Sequence, residues 1–307
     1  MPLGGLNLKI VGGPSSESLA KKVSDVLRVP LAKTTSKRFP DGEFYFKFEE
    51  DIRGESLLII QSLYPPQDKH LIELFIILHT CRDLGANRII VFIPYLAYSR
   101  QDIRYLTGEC LSSAVVSEIL EALGTSVVYT VDIHNEEVLK KYKIPIYNLT
   151  ASQDLAKYFA KKRLTRPFIV APDDEKMAVQ RAKIAADTID AEYDYFTKKR
   201  DRHTGEIETF KKSMDVKGRD VIIIDDIIST GKTAANAAYM LKKMGARRVF
   251  VGVTHALMMG DAVKILSDTG VEEVVGTDSV ANEFAKVSVA PVLAKALKIK
   301  FKPEEGW

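Results

Sequence analysis

Val221 to Thr233 reads VIIIDDIISTGKT. A β-branched run with no polar interruption is the pattern of a strand buried on both faces, as in a parallel sheet. Two adjacent carboxylates, Asp225 and Asp226, close the run, and Ser229-Thr230-Gly231-Lys232-Thr233 opens a helical period. Ligands of parallel sheets gather beyond the carboxyl ends of the strands. The loop offers backbone N–H groups, hydroxyls and a helix N-terminus, which together favour a phosphate. Asp225 and Asp226 would repel that phosphate, so they are expected to take the hydroxyls of the sugar carrying it, or a metal-bound water. The plainer reading is a strand that ends in two acids and a helix capped by Ser229 or Thr230. A Walker A loop is excluded, because the Gly required five positions before Gly231 is Asp226.

Outward from this stretch the chain repeats itself. Gly218-Arg-Asp-Val-Ile-Ile-Ile-Asp225, a helix, then Gly245-Ala-Arg-Arg-Val-Phe-Val251 parallels Gly54-Glu-Ser-Leu-Leu-Ile-Ile-Gln61, a helix, then Gly85-Ala-Asn-Arg-Ile-Ile-Val91. Each Gly-Ala suits a helix stop, with glycine taking the left-handed conformation before the next strand. Strands are expected at 8–11, 57–60, 88–94, 126–131, 168–171, 221–224 and 248–253. Helices are expected at 16–27, 69–84, 112–123, 152–162, 176–187 and 233–244. Alternating strands and helices give an α/β class with a mostly parallel sheet in each half. The boundary is expected near Thr150, giving domains 1–149 and 150–307. Gly12-Gly13-Pro14 lacks the glycine order of a dinucleotide fold, and Ser15 or Ser16 is expected to cap the first helix.

The chain has 307 residues, 46% apolar and 28% charged, which accommodates a core in each half. Its 44 basic and 41 acidic residues leave a net charge of +3. That excludes a general polyanion binder and leaves room for a local basic patch. Basic residues are not interleaved with aromatics, so no nucleic-acid partner is expected. Cys81 and Cys110 stand outside any metal-ligand spacing and read as thiols in a reducing compartment. The stretch 71–80 is interrupted by Glu73 and is too short for a membrane span. With neither a charged leader nor a cleavage pattern, the expectation is a soluble cytoplasmic protein with no membrane partner.

Five further strings carry chemistry. Lys37-Arg-Phe-Pro-Asp-Gly-Glu43 is by itself a turn before the alternating strand 43–48. Ile93 to Asp102, IPYLAYSRQD, ends a strand and presents Arg100, whose guanidinium suits phosphate oxygens. Val131-Asp-Ile-His134 ends another strand, as does Ala171-Pro-Asp-Asp174. Lys198 to Lys212 holds the basic residues Lys198, Lys199, Arg200, Arg202, Lys211 and Lys212 around a Thr204-Gly205 turn and reads as a basic hairpin.

Over nearly its whole length the chain resembles the ribose-phosphate pyrophosphokinases. The resemblance implies two tandem phosphoribosyltransferase-like domains. It also implies Mg²⁺-dependent transfer of the diphosphoryl group of ATP to the 1-hydroxyl of ribose 5-phosphate, giving 5-phosphoribosyl 1-diphosphate and AMP. Phe39, Asp41 and Glu43 then match the loop with which the family's neighbouring subunit holds adenine, so at least a homodimer is implied. Arg100, Gln101 and His134 fall on ATP-binding positions. His134 and Asp173 fall on metal positions, Lys198 and Arg200 on the cationic positions of the catalytic loop. Asp225, Asp226, Ser229, Thr230, Gly231, Lys232 and Thr233 form the ribose 5-phosphate cradle. Three departures stand out: Tyr105 stands where an acidic residue is usual, Asp174-Glu175-Lys176 replaces the family's small Gly-containing loop, and Lys232 stands where Gly is common. The rival readings are a phosphoribosyltransferase and a non-catalytic regulatory paralogue.

Overall fold

Hydrophobic runs too uniform for an exposed face become the central strands of two parallel sheets. The structure, a computed structural model, describes residues 8–101, 103–104, 106–200, 207–210 and 213–300; at 198–200, 207–210 and 299–300 only the backbone is described. The described chain falls into two units. Unit 1 runs up to Leu149 and takes in the residues from Ser288 on, and unit 2 is Thr150–Val287.

Unit 1 holds β1 (Leu8–Gly12), α1 (Glu17–Leu27), β2 (Thr34–Arg38), β3 (Phe44–Phe48), β4 (Ser56–Ile60), α2 (Gln67–Asp83), β5 (Arg88–Ile93), α3 (Ser112–Ala122), β6 (Thr125–Val131) and β7 (Ile146–Leu149). Its main sheet has the order β1-β4-β5-β6-β7 with every pairing parallel. All five residues of β4 are buried, as the apolar run requires. β2 and β3 form a separate antiparallel hairpin, paired from Thr34 with Phe48 to Arg38 with Phe44.

Unit 2 holds α4 (Ser152–Ala160), β8 (Phe168–Ala171), α5 (Lys176–Ile189), β9 (Glu192–Tyr195), β10 (Thr197–Arg200), β11 (Ile207–Phe210), β12 (Asp220–Ile228), α6 (Lys232–Lys243), β13 (Arg248–Ala256), α7 (Ala262–Asp268), β14 (Glu273–Thr277) and β15 (Ala285–Val287). The sheet order is β15-β14-β13-β12-β8-β9, again all parallel, and β10 pairs with β11 in a hairpin. Side chains alternate across a strand, so Val221 and Ile223 pack with Ala234, Ala238 and Leu241 of α6. Ile222 and Ile224 pack on the other face with Leu155 and Phe159 of α4 and Ala182 of α5. The alanine-rich faces of α5 and α6 let both helices lie close to the sheet.

Three expectations need correcting. The helix α8 (Ala290–Lys300) belongs with unit 1, where it packs on α1, and so 150–307 is not one continuous body. The strand carrying the acid pair does not stop at Ile224 but continues through Asp225 and Asp226 to Ile228. Ser15 and Ser16 do not cap α1 with their side chains. Ser16 Oγ instead accepts from Ser62 N–H at 2.8 Å, and Ser15 Oγ lies 2.8 Å from Gln61 Oε1, tying the loop to the end of β4. Among the described residues no helix is long and apolar enough to cross a membrane.

Candidate active site

The acid pair lies on the central strand of unit 2, and both side chains are buried. Asp226 accepts from Nη2 of Arg181 at 2.8 Å, and both residues are almost wholly withdrawn from solvent. Asp225 Oδ1 accepts the backbone N–H of Asp226 at 2.9 Å. Burial raises the Asp225 carboxyl well above the ordinary range. The charge of Asp226, a hydrogen bond between the two carboxyls and the charge of Asp173 add to that rise, while Arg181 opposes it. The two neighbours are therefore unequal, Asp226 neutralised by a guanidinium and Asp225 held toward its protonated form.

Asp173 follows β8, the strand beside β12, and is itself buried. Its Oδ1 accepts from the N–H of Glu175 at 3.2 Å. The side chains of Asp174, Glu175 and Lys176 are exposed, and α5 begins at Lys176. The acidic departure from the family pattern thus places two carboxylates in solvent and starts the helix at the cation.

β12 leads within three residues into α6, whose N-cap is Gly231 at φ 78°. A Cβ there would lie 3.3 Å from the carbonyl oxygen of Ala262, so both backbone angle and space call for glycine. No side chain caps α6. Among the described residues the hydroxyls of Ser229, Thr230 and Thr233 have no hydrogen-bond partner. The loop is anchored through backbone, Ser229 O accepting from Met259 N–H at 2.8 Å. The capping reading of Ser229 and Thr230 is not what the loop does; neither side chain bonds the first N–H groups of α6. Lys232 and Thr233 are exposed at the same helix start.

In unit 1 the strings fall on the carboxyl edge of the main sheet and on the hairpin. Arg100, exposed, and Gln101 lie in the loop after β5; the carbonyl of Gln101 accepts from Ser113 Oγ at 3.1 Å. His134, also exposed, lies in the loop after the neighbouring strand β6. That loop is held by Asp132 N–H on Leu149 O at 2.8 Å and Ile133 N–H on Asn148 Oδ1 at 3.0 Å. Phe39, Asp41 and Glu43 occupy the tip between β2 and β3, all exposed. Phe39 N–H donates to Glu43 O at 2.9 Å, and Asp41 Oδ1 accepts from Glu43 N–H at 3.1 Å. The Phe39 ring stands edge-on to Tyr45, and Lys37 Nζ lies 5.3 Å from its centroid.

Lys198 and Arg200 fall on β10, and their side chains, with residues 201–206 and 211–212, lie outside what the structure describes.

The N-terminal domain model of ribose phosphate pyrophosphokinase matches residues 8–124, and the phosphoribosyl synthetase-associated domain model matches 204–300. The ribose-phosphate pyrophosphokinase of Sulfurisphaera tokodaii is 39% identical over 284 residues, covering 92% of this chain and 97% of that one. That of Saccharolobus solfataricus is 40% identical, covering 88% and 92%. The crystal structure of phosphoribosylpyrophosphate synthetase from Mycobacterium smegmatis superposes with a TM-score of 0.82 at 27% identity, covering 96% and 99%.

The chain belongs to the ribose-phosphate pyrophosphokinases. It is accordingly an enzyme, a diphosphotransferase of nucleotide biosynthesis, and neither the paralogue nor the phosphoribosyltransferase reading is favoured by these relatives. For a ribose-phosphate pyrophosphokinase, two side chains near the sites went unnoticed in the sequence. Arg181 is 45 residues from Asp226, and Glu73 is 35 residues from Arg38. Glu73 left one trace, as a charge inside an otherwise apolar stretch.

Proposed function

We propose that this chain carries out its family's reaction with the acceptor sugar held in unit 2 and ATP held by unit 1. Ribose 5-phosphate sits with its phosphate on Ser229 to Thr233 and the N-terminus of α6, and with its hydroxyls on the Asp225 and Asp226 pair. The observation that carries this reading is the loop itself, three residues long, anchored through its backbone, with its hydroxyls uncommitted beside two buried aspartates.

Mg²⁺ is the cofactor in this reading. Asp173 and Asp225 are both buried carboxylates, and burial, Asp226 and the Asp173 charge raise the proton affinity of Asp225, the situation a hard divalent cation relieves. Among the described residues no group of three or more His, Cys, Asp or Glu is gathered to hold a metal, so substrate phosphates and water would complete the shell around Asp173. His134 is the expected ligand on the ATP side. Bound Mg²⁺ would neutralise polyphosphate charge. Phe39, Asp41 and Glu43 would hold adenine for a neighbouring subunit of a homo-oligomer, Arg100 and Gln101 the nucleotide of their own subunit.

The chemistry is an in-line displacement in which the 1-hydroxyl oxygen attacks the β-phosphorus and AMP leaves. Alignment and charge stabilisation supply most of the rate, with Lys198 and Arg200 opposing the charge that develops. The site of action is the cytoplasm. The test is to incubate the chain with ATP, Mg²⁺ and ribose 5-phosphate and resolve the nucleotides. AMP formed one for one with 5-phosphoribosyl 1-diphosphate supports the reading. ADP instead of AMP makes the chain a simple kinase, and unchanged ATP returns the regulatory reading.

A further inference from the structure

A two-stranded hairpin outside the main sheet is marginal by itself and needs tethers to hold one orientation. The base of the β2–β3 hairpin has them, since Phe46 and Phe48 are buried and Lys33 N–H donates to Glu50 Oε1 at 2.6 Å. The tip has Arg38, the residue immediately before Phe39. Its Nη1 donates to Gly42 O at 2.5 Å, closing the 38–43 turn, and its Nη2 donates to Glu73 of α2. One planar guanidinium thus fixes the shape of the tip and ties it to a helix.

Glu73 is 1% exposed, an unusual place for a carboxylate. Its second oxygen accepts from Gln61 Nε2 at 3.1 Å. Gln61 is held in turn, donating to His70 O at 3.2 Å and accepting from Ser15 N–H at 3.2 Å. Ser62, next to it at the end of β4, accepts through Oγ from Tyr95 N–H at 3.2 Å, at the start of the loop that carries Arg100 and Gln101. A buried charge with one strong partner and a fixed second one defines a direction far more narrowly than apolar contact does.

We propose that Arg38 and Glu73 are positioning residues for ATP: the buried carboxylate aims the hairpin tip so that Phe39, Asp41 and Glu43 meet adenine in one orientation. This rests on the reading of the hairpin as an adenine site given above. Removing Arg38 alone would strand a buried carboxylate, so the informative variant removes both charges. Arg38→Met with Glu73→Met keeps apolar volume and leaves a foldable core. Steady-state kinetics of the full chain are then compared with those of Phe39→Ala.

The double variant is expected to raise KM for ATP about tenfold, toward the value of Phe39→Ala. KM for ribose 5-phosphate should stay within twofold, and the tip amides of Phe39 and Gly42 should exchange faster. Arg38→Lys, which cannot fork onto both acceptors, should fall between parent and double variant. It carries the test, with its unfolding midpoint as control, should the double variant not fold. An ATP KM at the parent value in these variants, while Phe39→Ala raises it, overturns the positioning role. An unmoved KM in Phe39→Ala overturns the adenine reading of the hairpin, and the inference with it.

Discussion

The segment β4–α2–β5 in unit 1 and the segment β12–α6–β13 in unit 2 are built on one plan. At the foot of each, the same backbone bonds recur: Gly54 N–H on Gly85 O at 2.8 Å and Gly218 N–H on Gly245 O at 2.9 Å. Asn87 N–H donates to Glu55 O and Arg247 N–H to Arg219 O, both at 2.8 Å. Ser56 pairs with Arg88, and Asp220 with Arg248. At the carboxyl ends the copies part company. Gln61 and Ser62 stand where the other copy has Asp225 and Asp226, and a six-residue connection, 61–66, stands where the other has the three residues 229–231. Shared hydrogen bonds at one end and divergent chemistry at the other teach that the frame is common property and the strand ends set the task of each copy.

The sharpest way to break that comparison is to give unit 2 the ends of unit 1. Asp225→Asn places an amide where the other copy has Gln61. It removes a carboxyl whose proton affinity burial and Asp226 already raise, so folding stability at pH 7 should hold or rise. Losing a carboxyl that accepts from sugar hydroxyls, by contrast, should lower kcat/KM for ribose 5-phosphate by about 10²-fold. Asp226→Ser should show the reverse weighting. It removes the carboxylate that pairs with the buried Arg181 guanidinium, at a cost on the order of 3 kcal/mol in chemical denaturation. If Asp226→Ser unfolds at the parental midpoint, the two aspartates do not divide the work in this way.

Which parts of this were legible in the sequence follows from the range of the forces involved. Val221 to Ile224 and Leu57 to Ile60 announce themselves because four apolar neighbours in a row have no other place to go. The edge strands β9 and β15 carry exposed residues such as Glu192, Tyr193 and Lys286, and give no such signal. β2, with Ser36, Lys37 and Arg38 exposed, was hidden for the same reason. The return of α8 to α1 depends on contacts nearly the length of the chain apart, which no local pattern encodes. The proposed cradle could be read as one string since its residues are contiguous, from Asp225 to Thr233. Arg181 and Glu73 could not be read so, because a buried ion pair is a statement about two places at once.

The foot of the repeat offers a second, smaller test. Asp220 is buried and accepts from Thr165 N–H at 2.7 Å, from Arg248 Nη2 at 2.7 Å and from Arg247, where the other copy has the neutral Ser56. Burial by itself would push this carboxyl up; Arg248, Arg247 and the Thr165 N–H overrule it and hold it at about 2. A carboxylate depressed below its unfolded value near ~3.9 contributes stability that is complete above that pH and fades as pH falls through the folded value. Asp220→Ser should therefore cost roughly 2–3 kcal/mol at pH 7. The difference should close as the pH is lowered from 4 toward 2. A deficit independent of pH in denaturation curves would mean that packing, not charge, distinguishes the two feet.

The smallest effect should come from the feature the copies share most closely. Gly85 and Gly245 end α2 and α6 at φ 81° and 89°, a region that L side chains occupy only at a cost. A Cβ would meet Arg53 Cγ at 3.4 Å in one copy and Lys217 Cγ at 3.3 Å in the other, both on flexible side chains that can yield. Backbone angle, not crowding, then sets the penalty. Alanine at either position should destabilise by about 1 kcal/mol, the left-handed strain being partly offset by a stiffer unfolded chain. Thermal unfolding of the two single variants should give closely similar shifts, and neither should alter kcat/KM, because each glycine lies at the end of its own sheet opposite the carboxyl strand ends. Unequal shifts would show that the feet, for all their matching hydrogen bonds, bear different loads.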